Sequence, residues 1–179
     1  VTDASDGHGG IKRAINFEML KQMLSPDVVD GDEAYEFTWV GKKAAIVEAN
    51  KPIRKTLRPC MEESKNWDTT ENLYIEGDKL EVLKLLQVSY LGKVKMMYID
   101  PPYNTGNKDF IYNDSYVDFE DSYRHSKWLS FMSKRLRIAK KLLTENGVIF
   151  INIGSDEVAQ LVLLCNDVFG ENNQVAIIS

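Results

Sequence analysis

The sequence predicts an α/β fold in which a mainly parallel sheet carries helices on both faces, preceded by an irregular N-terminal arm. Three observations carry this. Residues 94–99 and 148–153 are near-continuous apolar runs of strand length, the pattern of strands buried on both faces. Segments with apolar residues at helical spacing alternate with them, which is the order of an α/β sheet rather than of a sandwich or a bundle. The 179 residues are 44% hydrophobic, enough for one core of ordinary domain size.

The elements follow in order. Gly7, Gly9 and Gly10 lie in a polar opening stretch, and residues 17–24 read as a short helix ended by Ser25-Pro26. From 31 to 72 the pattern is mixed: 36–40 alternates weakly like a strand, 43–48 shows no clear period, and Pro52 and Pro59 interrupt the rest. Residues 1–72 are therefore expected to form the arm and 73–179 the α/β part. Residues 73–76 predict a short strand, after which Asp78 and Glu81 stand at capping-box spacing. Leu80, Leu83, Leu86 and Tyr90 then recur on one helical face as far as Gly92. With the strand at 94–99 this makes a βαβ unit with a right-handed crossover. Trp128, Met132, Leu136, Ala139 and Leu143 share one face of a second helix, closed by Asn146-Gly147. A strand at 148–153, a helix at 156–169 stopped by Gly170 and a further strand from 175 to 178 complete the series. The sequence stops in or just after that strand, as a piece of a longer chain would.

Composition excludes several classes. Eleven Gly and five Pro are too few for a collagen-like or low-complexity chain. No apolar run is long enough to span a membrane, and no signal-peptide block is present, so a soluble, cytoplasmic domain is expected. Cys60 and Cys165 are far apart, neither a disulfide framework nor a metal-binding spacing, and read as ordinary reduced thiols; no metal is expected. The net charge of −5, from 22 basic and 27 acidic residues, argues against a surface that grips nucleic acid all over. Basic residues nevertheless cluster at 41–58 and 127–141, as solvated faces or as a DNA path.

The residues that follow the strand at 94–99 carry the chemistry. Ligands of open α/β sheets bind beyond the carboxyl ends of strands, and there stand Asp100, Pro101, Pro102 and Tyr103, followed by Asn104-Thr105-Gly106. Two prolines stiffen the corner and contribute no N–H, so its polar capacity is biased toward acceptors. The Asp100 carboxylate and the Pro101 carbonyl can face one donor-rich group beside the flat ring of Tyr103. That combination suits a planar ring with an exocyclic amino group, as in a nucleobase. The plain alternative is a proline-stiffened turn.

This run resembles the catalytic motif of amino-methylating DNA methyltransferases, which move a methyl group from S-adenosyl-L-methionine to adenine N6 or cytosine N4. The longer stretches YIDPPYNTGNKDFIYND (98–114), RKTLRPCMEESKNWDTTENLYIEGDKLEVLKLL (54–86) and WLSFMSKRLRIAKKLL (128–143) are similar to the modification (Mod) subunits of type III restriction–modification systems. The resemblance runs from about residue 37 to 170. It implies part of a Rossmann-like methyltransferase sheet, and an initial Asp in the motif favours adenine over cytosine. It implies double-stranded DNA as substrate, a homodimer and a restriction (Res) subunit as partners. A target adenine would be flipped out of the duplex at a cost of a few kcal/mol. Tyr103 would then stack on it, while Asp100 and the Pro101 carbonyl accept from its amino group and direct the nitrogen lone pair at the methyl carbon for direct in-line transfer. Asp78, in the Gly-Asp position after the preceding segment, would lie beside the cofactor's adenine or simply cap its helix; Asp100, Pro101 and Tyr103 would border the cofactor as well.

Other residues leave alternatives open. Trp128 and Met132 are expected to pack in the core rather than touch a ligand. His125 reads as a loop histidine, either without a role or against a phosphate. Phe110, Tyr112, Tyr116, Phe119 and Tyr123 would fold over the site, meet another subunit or form an ordered surface loop. No Phe-x-Gly-x-Gly cofactor loop occurs in the sequence, and Gln174 stands where the family commonly has Phe. The resemblance is therefore to an N-terminal part, expected to be inactive alone. Methylation of cytosine N4 or a protein amide, and a scaffold that docks the restriction subunit, are the rival functions.

Overall fold

The computed structural model describes residues 2–5, 11–14 and 35–178. Two compact units divide the chain, residues 1–36 and 37–179. In the first, β1 (Thr2–Ser5) pairs antiparallel with β2 (Ile11–Ala14), Thr2 opposite Ala14. The short helix expected at 17–24 lies outside the described residues.

The second unit is α/β. Its order is α1 (Lys42–Asn50), α2 (Lys79–Tyr90), β3 (Val94–Ile99), β4 (Ile111–Tyr112), β5 (Ser115–Tyr116), α3 (Arg124–Leu142), β6 (Leu143–Ile151) and α4 (Val158–Phe169). The strands β3 and β6 pair in parallel, with Met97 opposite Ile149 and Ile99 opposite Ile151. Parallel pairing requires a crossover, and the 19 residues of α3 supply it. That helix is the spine of the unit: α1, α2 and α4 all pack on it. Trp128, Met132 and Leu136 are buried on it against Leu161, Leu164 and Val168 of α4, with Ile99, Ile149 and Ile151 closing the cluster from the sheet. A second cluster joins Ile138 and Leu142 to Ala49 of α1, Leu80, Leu83 and Leu86 of α2, and Met97.

Several expectations need correction. Residues 36–40 form no strand; Phe37 and Trp39 pack into the core instead, and the Trp39 Nε1 donates to Ser130 Oγ at 3.0 Å. The unclassified stretch after them is the helix α1, whose buried contribution is only Ala45 and Ala49, too faint a period to read. Residues 73–76 and 175–178 form no strand and pair with no strand among the described residues. Leu73, Tyr74, Val175 and Ile178 are exposed, so these segments gain neither a ladder nor burial. The helix expected to close at Asn146-Gly147 ends at Leu142, where the Gly92 N–H takes the Lys141 carbonyl at 2.9 Å. A register shift between Val94 and Met96 accommodates the residues after it. Among the described residues the helices cover one face of the β3–β6 sheet rather than both, because that sheet has only two strands and Met96, Tyr98 and Phe150 on its other face remain exposed. No helix among the described residues is long and apolar enough to cross a membrane.

Candidate active site

The corner begins where β3 runs out. The Asn152 N–H bonds the Ile99 carbonyl at 3.0 Å, one rung past the strand, and the chain then turns at Asp100, which is exposed. The Trp128 indole N–H donates to the Pro102 carbonyl at 2.7 Å, so a core residue also fixes the corner. Among the described residues no donor reaches the Pro101 carbonyl. The Tyr103 hydroxyl donates to Asp100 Oδ1 at 3.0 Å, which raises its pKa above the ordinary phenol value and keeps it protonated. The ring rests beside Gly154, where a Cβ would stand 3.3 Å from Tyr103 Cδ2, and stays 37% exposed. Among these four adjacent residues Asp100 and Tyr103 are exposed, and the two prolines between them are partly buried.

Behind the corner lies a buried polar cluster. Asn104 is fully buried at φ 59°, in the left-handed region that Asn tolerates better than most residues. Its Nδ2 donates to the Arg124 carbonyl at 3.3 Å and to Oε1 of Glu157, itself 0% exposed. His125 Nδ1 reaches the same oxygen at 2.8 Å, and Arg124 Nη1 donates to the Asn104 carbonyl at 3.3 Å. Burial, first of all, raises the Glu157 pKa against the opposing effects of Asn104 and His125. His125 therefore sits in the first turn of α3, not in a loop. Glu157 and Arg124 escape sequence reading, since an acid before an apolar helix and a base near its start look like solvated helix ends.

Asp78 lies elsewhere. Its Oδ1 accepts from the Glu81 N–H at 3.0 Å and caps α2. Only this half of the capping box forms, because the Glu81 carboxylate pairs with Lys55 at 2.6 Å. Asp78 also borders a cavity of about 280 Å³ with Glu48, Lys51, Ile53, Leu80 and Lys84. None of residues 100–103 lines that cavity. Its volume is just under the usual ligand range of about 300–1,000 Å³. The structure does not bring Asp78 and the corner into one pocket.

The aromatic segment is an anchored hairpin. Asn113 and Asp114 both have positive φ between β4 and β5, the pattern of a type I′ turn. Phe110 and Val117 at its base are buried and bonded through the Val117 N–H at 2.9 Å. Gly106 (φ 83°) lets the chain pass Phe119, whose backbone would lie 2.8 Å from any Cβ there. The Phe119 ring stacks on the Arg124 guanidinium at 4.6 Å, while Tyr116 and Tyr123 are exposed. In the basic cluster at 127–141, Lys127 pairs with Asp121, Arg137 with Asp167, and Lys140 and Lys141 bond Val168 and Asn50. Desolvation lowers the pKa of Arg135, which lies over the Phe131 ring at 3.6 Å. These cations are mostly spent within the molecule.

Strand β3 and the corner that follows it lie within residues 94–178, which match the DNA methylase family. The chain is similar to that family over this segment, just under half of its length. Over nine-tenths of its length it is related to Mod subunits of type III restriction–modification enzymes. It is 40% identical over 190 residues to the EcoPI Mod subunit of Escherichia phage P1, covering 90% of this chain and 29% of that protein. It is 38% identical over 189 residues to the EcoP15I Mod subunit of Escherichia coli, with the same shares. The type II methyltransferase M.KpnI of Klebsiella pneumoniae is 40% identical over 119 residues, 63% of this chain and 28% of that one. The chain spans less than a third of the length of these relatives.

Proposed function

We propose that this chain is the catalytic part of a site-specific DNA methyltransferase that acts on adenine N6, as the modification subunit of a type III restriction–modification system in the cytoplasm. Residues 73–179 would form the incomplete Rossmann-like half that holds the chemistry, preceded by residues 1–72, of which Phe37, Trp39 and α1 pack into the same unit. The observation that carries the reading is the corner itself: an exposed carboxylate and an unclaimed carbonyl beside a half-open phenol ring, at the end of a parallel strand. Asp100 Oδ2 and the Pro101 carbonyl would accept the two hydrogens of the target amino group. Tyr103 would stack on the base, its tilt fixed by the bond to Oδ1. Stacking of this kind contributes about 1–3 kcal/mol per base and offsets part of the extrusion cost. As positive charge grows on the amino nitrogen, the fixed acceptors stabilise it without rearranging.

S-adenosyl-L-methionine supplies an electrophilic methyl group when bound. The donor set fits it in part. Asp100 is exposed at the strand end and the second Asp78 oxygen has no partner among the described residues, which suits a cofactor's hydroxyl and amino groups. The modest cavity beside Asp78 falls short of a whole pocket. This chain alone is therefore expected to bind the cofactor weakly and to methylate nothing. The resemblance also supplies double-stranded DNA, a second copy and a restriction subunit as partners. The test is expression of the enzyme carrying this segment in a host free of DNA methylation, followed by nucleoside digestion and mass detection. N6-methyladenine is the expected product; N4-methylcytosine alone, or no methylated base, overturns the reading.

A further inference from the structure

We propose that Glu157 is a positioning residue that acts through Asn104 and His125 to hold the Asp100–Tyr103 corner in its working shape, an inference that rests on the methyltransferase reading above. Glu157 stands at the start of α4, 53 residues along the chain from Asn104, yet its Oε1 receives both the Asn104 amide and the His125 ring. His125 Nε2 in turn faces Arg124 Nε at 3.4 Å, a pairing that requires the ring proton on Nδ1, pointed at Glu157. Arg124 completes the loop by donating to the Asn104 carbonyl and accepting from its side chain. Asn104 directly follows Tyr103 and is held in the left-handed conformation. At the residue before Tyr103, the Trp128 indole N–H donates to the Pro102 carbonyl. The residues flanking Tyr103 are thus clamped, while Asp100 and Tyr103 themselves remain exposed.

The clamp is costly as mere packing. Glu157 Oε2 and Asn104 Oδ1 are both buried and lack a partner among the described residues. Removing such groups from water without compensation is unfavourable, and apolar side chains would fill the space with less penalty. A polar clamp there is accounted for by what it does for its neighbour, since a misplacement of about 1 Å at a reacting group can cost ~100-fold in rate.

The experiment uses the methyltransferase that carries this segment, with unmethylated bacterial genomic DNA and labelled S-adenosyl-L-methionine under single-turnover conditions. Asn104→Gly keeps the positive φ and deletes the amide; Glu157→Ala deletes the acceptor, and Glu157→Gln retains an oxygen. The expected result is a loss of about 10–100-fold in rate for Asn104→Gly and Glu157→Ala, with KM for DNA and cofactor within about 3-fold. Glu157→Gln recovers most of the loss. Wild-type rates in folded Asn104→Gly overturn the proposal, even if Glu157→Ala fails to fold. So does a loss confined to melting temperature or to KM. An active enzyme that dies with Asp100→Ala but ignores Asn104 and Glu157 sinks this inference alone; an enzyme that never methylates sinks the functional reading as well.

Discussion

At Asp100 and Tyr103 two side chains share one hydrogen bond but would contribute differently. Tyr103→Phe leaves the ring and removes only the bond to Asp100 Oδ1, so methylation should fall by no more than about tenfold, the equivalent of about 1.4 kcal/mol. Tyr103→Ala removes the stacking surface and should cost about 10–100-fold in single-turnover rate. Equal effects of the two variants would contradict stacking as the role of the ring. The corner could be proposed from the sequence because consecutive prolines, an acid and an aromatic ring stand together locally. Glu157 was not, since its burial depends on how α4 meets α3, which no local pattern encodes. The cysteines offer a simpler check: burial pushes the Cys165 thiol up to about 11, while Cys60 is exposed. One thiol should react quickly with a disulfide reagent in the native protein and a second only on unfolding. Two fast thiols would contradict the packing of α4.

Among the elements, α2 depends on its cap. Asp78→Ala should destabilise the fold by about 1 kcal/mol, seen as a lower denaturation midpoint, whereas Asp78→Asn should leave it nearly unchanged. If Asp78 also borders the cofactor, Asp78→Asn in the whole enzyme weakens cofactor binding without loss of stability; unchanged binding would leave it a cap alone. The helices α2, α3 and α4 were readable because each shows a sustained apolar period. The strands at 36–40, 73–76 and 175–178 were misread for a physical reason. Alternation and apolar content measure a segment's capacity for burial, whereas a strand also needs a neighbour to accept its backbone bonds. Leu73 and Tyr74 have the content and lack the neighbour.

For the whole molecule, the buried polar cluster ties stability to pH. The Glu157 pKa is raised in the fold, so the native state holds the proton more tightly than the unfolded chain. Its contribution is fully present below the ordinary carboxylate range and is lost as pH rises through the raised value. Asp121 behaves oppositely: its pair with Lys127 lowers its pKa and its contribution is lost as pH falls. The difference in denaturation midpoint between the wild type and Glu157→Gln should therefore shift in favour of the variant as pH rises above about 4.5, the ordinary Glu value. A difference that does not vary with pH would contradict the burial of a titrating carboxylate. The α/β class and the parallel pairing were legible at this scale, but the one-sided covering of the sheet was not, because apolar runs do not say how many strands will pair.

In the proposed reaction, Asp100 and its proline-braced neighbours make an adenine amino group nucleophilic. The most direct measurement compares N6-methyladenine formed by the enzyme carrying this segment with that formed by its Asp100→Ala variant, both quantified by nucleoside mass detection. Methylated adenine is expected in the first and a loss on the order of 1,000-fold in the second, with the melting temperature unchanged. Undiminished methylation by a folded Asp100→Ala protein would contradict the proposed reaction.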